Sequence, residues 1–236
     1  MPTVRQHAGQ DPLFTRLIQA IVAGDAPEVT ELIASSPSLV RQCLAEGATR
    51  QRASDFFFRE IAHYLYAGDT ALHAAAAGYR LGIAKTLVEK GAPVIAANRR
   101  GAQPLHYAAD GAPRWNSAAQ ANVIVFLIDA GADPNALDKS GVAPLHRAVR
   151  QRCAGAVDAL LRNGAVAGLK NKNGSTPLHL AVQNTGKGGT GSPESKAMQK
   201  NIIELLLKAG ASPKVKDGRG KTPAQCAKSD WIRALL

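Results

Sequence analysis

The residues of this chain best suited to chemistry are four histidines that recur at nearly regular intervals. His73, His106, His146 and His179 are separated by 33, 40 and 33 residues. An imidazole can bind zinc or transfer a proton near neutral pH. If each histidine belongs to one unit of a stacked repeat, neighbouring rings lie about 10 Å apart, which is the usual spacing of packed helices. Because zinc binds its ligands at about 2 Å, the pattern favours a structural role over a shared metal site.

The rest of the sequence lacks the usual signatures of a catalytic centre. It contains no G-x-S-x-G nucleophile motif and no H-E-x-x-H metal-binding motif. Cys43, Cys153 and Cys226 are far apart and form no Cys-x-x-Cys pair, so neither a zinc site nor a disulfide framework is predicted. We therefore predict a protein that is not an enzyme and that uses no metal or other cofactor.

Each histidine ends a short string that is repeated along the chain. The four copies read Thr70-Ala71-Leu72-His73, Gln103-Pro104-Leu105-His106, Ala143-Pro144-Leu145-His146 and Thr176-Pro177-Leu178-His179, and a degenerate fifth reads Thr222-Pro223-Ala224-Gln225. A capping threonine followed by proline is typical of a helix N-terminus, because proline has no N–H to leave unbonded there. Each of the first four copies precedes an aliphatic stretch that ends in Gly-Ala. The pattern predicts a helix start at every copy.

These strings resemble the ankyrin repeat, whose signature is T-P-L-H-x-A and whose period is about 33 residues. The resemblance implies an all-α fold, a solenoid of stacked helix pairs with short β-hairpin loops. It also implies that the four histidines brace the start of a helix and the neighbouring loop through hydrogen bonds. Repeat arrays of this kind serve as binding surfaces, so the resemblance implies a non-catalytic protein-interaction module.

The repeats divide the chain into parts with predicted boundaries. We predict an N-terminal capping repeat at 1–37, an insertion at 38–68 that packs on the first repeats, four full repeats at 69–219 and a C-terminal capping repeat at 220–236. Two of the full repeats carry extra residues between their helices, at about 111–121 and 184–200. Three adjacent phenylalanines, residues 56–58, cannot all face one helix seam. We therefore expect the insertion to fold over the cap or to expose an aromatic patch.

Charge is distributed unevenly along the chain. Residues 1–98 contain nine basic and nine acidic residues, whereas residues 99–236 contain twenty basic and nine acidic ones, so the net charge of +11 arises in the second part. The sequence has no run of 18 apolar residues and no N-terminal signal region, which predicts no transmembrane segment and a cytoplasmic protein.

The resemblance also maps a partner-binding groove onto the loop tips and the inner helices. The predicted partner-binding residues are Arg99, Arg100, Tyr107, Lys139, Arg147, Arg150, Lys172, Asn173, Arg219 and Lys221. Among the loop-tip and inner-helix positions, eight are basic and one, Asp110, is acidic. A groove with this charge favours an acidic protein partner and accelerates its association.

Two other functions fit parts of the sequence. The first is the binding of a polyanion, either nucleic acid or an anionic membrane, driven by the net charge; few aromatic residues accompany the basic ones to stack on bases. The second is a small-molecule site where the 38–68 insertion meets the first repeat, with His63, Tyr64, Tyr66 and Asp69 as its polar groups. The sequence does not specify an oligomeric state.

Overall fold

Short helices are the main regular structure of this protein. The computed structural model describes residues 11–111, 116–183 and 191–236. Within these ranges it contains twelve α-helices, two 3-10 helices and one two-stranded hairpin. The prediction of an all-α fold of paired helices is therefore confirmed. The chain forms two compact units: the first contains Met1–Ala108 and Asn122–Asp133, and the second contains Ala109–Ala121 and Pro134–Leu236.

Six helices contribute to the first unit. They are α1 (Pro12–Ala23), α2 (Ala26–Ser35), α3 (Ala71–Ala77), α4 (Leu81–Glu89), α5 (Pro104–Ala108) and the end of α6 (Ser117–Asp129). Helix α1 begins where the Asp11 carboxylate accepts the N–H of Leu13 at 2.8 Å. It ends at Gly24, whose φ of +82° lies in the left-handed region that glycine adopts most readily. Helix α3 packs against α1, α4 and α5, and its seven residues are all buried.

The segment between α2 and α3 has little regular structure. It contains 3-10 helices at Pro37–Arg41 and Ser54–Phe56 and a hairpin of β1 (Phe57–Phe58) and β2 (His63–Tyr64). A backbone bond from Leu44 to Asp69 attaches the segment to the start of the first repeat, and one from Ala48 to Leu65 closes the segment on itself; each is 2.8 Å long. Phe56 is buried, whereas Phe57 is 39% exposed and lies beside Tyr64, with the ring centroids 4.8 Å apart and the ring planes tilted by 51°. The insertion therefore both packs inward and exposes an aromatic pair.

The second unit repeats one simple arrangement. It contains the start of α6 and the helices α7 (Pro144–Arg150), α8 (Ala154–Arg162), α9 (Pro177–Ala181), α10 (Pro193–Lys208), α11 (Pro223–Cys226) and α12 (Asp230–Arg233). Helix α7 packs on α8 and α9, and α10 packs on both α8 and α9. Small side chains such as Ala148 and Ala156, both fully buried, allow this close approach. Helices α7, α9 and α11 all begin at the proline of the repeated string.

Parts of three predicted segments lie outside the described residues. They are residues 1–10 of the N-terminal cap, 112–115 of the first inter-helix insertion and 184–190 of the second. In the described part of the second insertion, Ser192 caps α10 by accepting the N–H of Ser195 at 3.2 Å.

Candidate interaction surface

Three of the signature histidines, His73, His146 and His179, connect the start of their own helix to a neighbouring loop. In the first unit, Nδ1 of His73 accepts the backbone N–H of Thr70 at 3.1 Å, and Nε2 donates to the carbonyl of Ala102 at 3.1 Å. In the second unit, Nε2 of His146 and of His179 donate to the carbonyls of Ser175 and Lys221, respectively. All four rings are buried, so the histidines are positioned to fix the loops that carry the candidate surface.

The other signature histidines accept the same helix-start N–H. The donors are Gln103 to His106 at 3.1 Å, Ala143 to His146 at 3.2 Å and Thr176 to His179 at 3.2 Å. Ala143 has no side-chain oxygen to cap α7, so this bond to His146 holds a helix start that lacks the usual threonine. Burial lowers the pKa of His146, which keeps its ring neutral and able to accept.

The loop tips are tight turns whose first residue is always Asn or Asp. Oδ1 of Asp138 accepts the N–H groups of Ser140 and Val142 at 2.7 and 3.0 Å. The equivalent residues Asn98, Asn171 and Asp217 accept the corresponding pairs of N–H groups. A glycine with φ between +70° and +76° closes each turn, at positions 101, 141, 174 and 220. Sequence reasoning missed this role, although the signal was present as Asn or Asp three residues before each glycine.

Successive turns of the second unit are joined through their backbones. The N–H of Lys172 donates to the carbonyl of Ser140 at 3.1 Å, and the N–H of Gly218 donates to the carbonyl of Asn173 at 2.9 Å. These bonds hold the tips in a row. Five predicted partner-binding residues lie on it and are exposed: Lys139, Lys172, Asn173, Arg219 and Lys221. We call this row the basic turn face.

A further lysine that sequence reasoning did not single out lies beside the basic turn face. Nζ of Lys170 donates to the carbonyl of Lys216 at 3.0 Å, so the chain leading into one turn is bonded to the chain leading into the next. Both lysines are exposed and add positive charge there. The Asp217 carboxylate opposes them in part, and the N–H groups of Lys221 and Arg219 that it accepts hold its pKa below the usual value.

Arg147 is placed differently from the other predicted partner-binding arginines. Only 8% of the residue is exposed, and its guanidinium lies 3.2 Å from the Asp110 carboxylate and 3.1 Å from that of Asp138. Gln151 also donates to Asp110, at 2.6 Å. The positive charge of Arg147 is therefore paired with two internal carboxylates, whereas the side chain of Arg150 is 59% exposed. Asp110 is therefore an internal partner of Arg147 rather than the single acidic group of an open groove.

The pKa of Asp138 reflects the same arrangement. Burial favours its neutral form, yet hydrogen bonds from the N–H groups of Val142 and Ser140 and from Arg147 outweigh that effect and hold its pKa below the usual value. The carboxylate thus remains charged at neutral pH. It fixes the turn through its Oδ1 and Arg147 through its Oδ2.

In the first unit, Tyr107 is buried rather than exposed. Its hydroxyl donates to Oδ2 of Asp69 at 2.6 Å and lies 3.0 Å from the amide nitrogen of Asn98. The same amide nitrogen donates to Oδ1 of Asp69 at 2.8 Å, and the N–H of Tyr66 donates to Oδ2 at 2.5 Å. We correct the expectation for Tyr107 accordingly, since a ring that is 1% exposed offers no surface to a partner. Asp69, proposed from sequence as part of a small-molecule site, lies at the centre of this internal network.

The remaining predicted residues of the first unit, Arg99 and Arg100, are exposed at the tip of its turn. Arg99 donates from Nη2 to the carbonyl of Ala48 at 2.6 Å. The guanidinium of Arg100 lies over the ring of Tyr66, 4.8 Å from its centroid. Both arginines border a cleft that the insertion forms beside the turn.

The described residues offer no metal centre. Across residues 11–111, 116–183 and 191–236, no three His, Cys, Asp or Glu side chains are grouped closely enough to hold an ion. Burial raises the pKa of the Cys153 thiol to about 11, so it is protonated at neutral pH. Over the same described ranges, no helix combines the length and the apolar character that crossing a membrane requires.

Comparison with known proteins identifies the class to which these turns and helix pairs belong. Residues 115–217 match the family described as Ankyrin repeats (3 copies), and residues 67–99 match the family described as Ankyrin repeat. Together the matches span more than half of the chain, and the chain belongs to the ankyrin repeat family. Members of this family generally mediate protein–protein interaction and are typically non-catalytic.

A curated relative shares part of the chain. Over 102 residues, 42% of this chain, the sequence is 37% identical to the mouse (Mus musculus) protein named Ankyrin repeat and SOCS box protein 16. The match spans 22% of that protein's length. The similarity therefore concerns the repeats that both chains contain.

Proposed function

We propose that the second unit binds an acidic segment of a protein partner through the basic turn face. The observation that carries this proposal is the row of backbone-bonded turns with Lys139, Lys172 and Arg219 exposed at consecutive tips. A row fixed by its own backbone loses little conformational freedom on binding, which favours affinity. The cytoplasmic location predicted from the sequence remains part of this proposal.

Charge at the basic turn face favours a segment with several carboxylates over a single anion. Three successive tips carry four basic residues, namely Lys139, Lys172, Arg219 and Lys221. The carboxylate of Asp138 on the first of these turns is paired with Arg147. Opposite charge accelerates encounter and fixes the register of the complex, and salt screens the attraction beyond about 8 Å at physiological ionic strength. A partner that pairs with several tips at once is therefore held more specifically than a free ion.

The test compares two variants that carry the same charge change in different places. The first reverses three turn residues (Lys139→Glu, Lys172→Glu and Arg219→Glu), and the matched control reverses three exposed lysines of helix α10 (Lys196→Glu, Lys200→Glu and Lys208→Glu). Each triple lowers the net charge by six. Affinity capture from nuclease-treated lysate of the source cells, followed by mass spectrometry, shows which proteins each form retains.

We expect the natural chain and the α10 triple to retain a common acidic protein that the turn triple loses. Retention of that protein by the turn triple contradicts the proposal. Equal loss by both triples, together with a steep fall of binding with salt for any nucleic acid offered, points instead to polyanion binding governed by net charge. Circular dichroism of the three forms checks that helical content is unchanged.

A further inference from the structure

The cleft beside the first unit's turn has the composition of an anion site. Its volume is about 280 Å³, and its walls come from the insertion (Thr49, Arg50, Tyr64 and Tyr66) and from the turn (Arg99 and Arg100). Among the described residues that line it, three are arginines and none is acidic. Three arginines lining one cleft without an acidic residue leave positive charge that an anion can compensate, although Arg99 also donates to the carbonyl of Ala48.

The walls of the cleft are fixed before any ligand arrives. Arg99 bonds to the insertion twice: its N–H donates to the carbonyl of Ala67 at 2.9 Å and its Nη2 to that of Ala48 at 2.6 Å. Below them, the buried Asp69 carboxylate accepts from the N–H of Tyr66 and from the side chain of Asn98, so one group holds the insertion and the turn together. Pre-formed walls avoid the cost of ordering side chains and loops when a ligand binds.

The orientation of Arg100 favours an anion with several oxygens. Its guanidinium carbon lies 4.8 Å from the centroid of the Tyr66 ring, and the residue is exposed, so its N–H groups can meet an anion from solvent. Guanidinium groups bind carboxylate and phosphate oxygens in pairs, and a phosphate monoester offers three oxygens and nearly two negative charges at neutral pH. Clusters of arginine are a common means of recognising such groups.

The size of the cleft limits the ligand. Sites for cofactors and drug-sized molecules occupy roughly 300 to 1,000 Å³, so a cleft of about 280 Å³ suits one phosphorylated side chain or a free phosphate better than a nucleotide. We propose that the cleft formed by Arg50, Arg99 and Arg100 with Tyr66 binds a phosphate dianion, either a phosphate monoester or inorganic phosphate. The source is a phosphorylated side chain of another protein or a free phosphate. The proposed phosphate site shares no residue with the basic turn face, and this proposal does not depend on the function proposed for that face.

Isothermal titration calorimetry on the full chain tests the proposal with defined probes. The probes are inorganic phosphate and the capped amino acids phosphoserine and phosphotyrosine, each compared with its unphosphorylated parent. The variants are Arg50→Gln with Arg100→Gln, and the matched control Arg59→Gln, an exposed arginine of the same insertion that does not line the cleft. Because Arg50 and Arg100 are exposed, their replacement leaves the fold intact, which circular dichroism verifies.

We expect a phosphorylated probe to bind the natural chain and the Arg59→Gln control with affinities within about twofold of each other. The double variant should bind roughly a hundredfold more weakly, since each charge-assisted bond contributes about tenfold or more. Affinity should also fall between pH 7 and pH 5, because the second pKa of a phosphate monoester is about 6. Tighter binding of a phosphoamino acid than of inorganic phosphate identifies a side-chain source, and the reverse order identifies free phosphate. Absence of binding at about 10 mM of every probe, or equal binding by the double variant, overturns the proposal.

Discussion

The turn of the first unit and the turns of the second unit share one backbone design but differ in what lies beneath them. In the first, the amide nitrogen of Asn98 reaches a buried carboxylate, Asp69, which also binds the insertion. In the second, Asp138 pairs with Arg147, and Asp217 remains near the surface. The comparison teaches that the Asn or Asp at the start of a turn has spare bonding capacity. The first unit uses it to attach an extra segment through Asp69, and the second uses it at Asp138 to hold Arg147 beneath a row of exposed tips.

The largest expected effect comes from removing the buried carboxylate of the first unit. Asp69→Ala leaves the N–H of Tyr66, the hydroxyl of Tyr107 and the amide of Asn98 without their shared acceptor. Burying such donors unbonded should lower the free energy of unfolding by about 3 kcal/mol, measured by urea denaturation. The control is Asp217→Ala, which removes the acceptor of a turn near the surface of the second unit and should cost far less. Equal losses for the two variants contradict the difference that we draw between the units.

A smaller effect should follow from replacing the arginine beneath the second unit's turns. Arg147→Met preserves most of the side-chain volume but takes the guanidinium away from Asp110 and Asp138, so the free energy of unfolding should fall by about 2 kcal/mol. Arg150→Met, at an exposed side chain 3.9 Å from Asp110, should change it by less than about 0.5 kcal/mol. Urea denaturation of both variants gives the comparison. If Arg150→Met costs as much as Arg147→Met, the internal pairing is not what stabilises these turns.

Acid should affect the second unit through His146. Burial depresses the pKa of its ring in the folded chain, so below the unfolded value of 6.5 the unfolded state binds more protons than the folded state. The stabilisation is complete above pH 6.5 and is lost as the pH falls toward the lowered folded value. The free energy of unfolding should therefore decrease between pH 7 and pH 5.

The variant His146→Gln isolates this contribution. The chain itself offers the precedent, because Gln225 occupies the equivalent position and its Oε1 accepts the N–H of Thr222 at 2.9 Å. The decrease between pH 7 and pH 5 should be smaller in the variant than in the natural chain. If the natural chain and the His146→Gln variant show the same pH dependence, titratable groups other than His146 cause the acid sensitivity.

The smallest effect concerns thiol reactivity and does not alter stability. Cys43 of the first unit is exposed, whereas the Cys153 thiol of the second donates to the carbonyl of Gly111 at 3.0 Å and has a raised pKa. Iodoacetamide at pH 8 should therefore modify Cys43 well before Cys153, as followed by peptide mass spectrometry. Adding urea should remove the difference. Faster modification of Cys153 in the folded chain would contradict its burial.

The fold could be predicted from the sequence because its determinants are local. A threonine followed by a proline starts α9 and α11, and one member of that pair is enough at α3, which has only the threonine, and at α7, which has only the proline. The candidate surface was harder to predict, because the position of a residue within a repeat does not show which charged side chains pair with one another. Arg147 pairs with Asp110, 37 residues away in the sequence, and the buried hydroxyl of Tyr107 donates to Asp69, 38 residues away. The cleft at Arg100 likewise depends on how an insertion without a repeat pattern folds.

The most direct test of the basic turn face is hydrogen exchange, measured by mass spectrometry on the chain with and without the acidic protein recovered by capture. Our account predicts slower exchange on binding at the amides of residues 138–142, 171–175 and 217–221, with little change along helices α8 and α10. Protection confined to those helices, or to the insertion at 38–68, would contradict it.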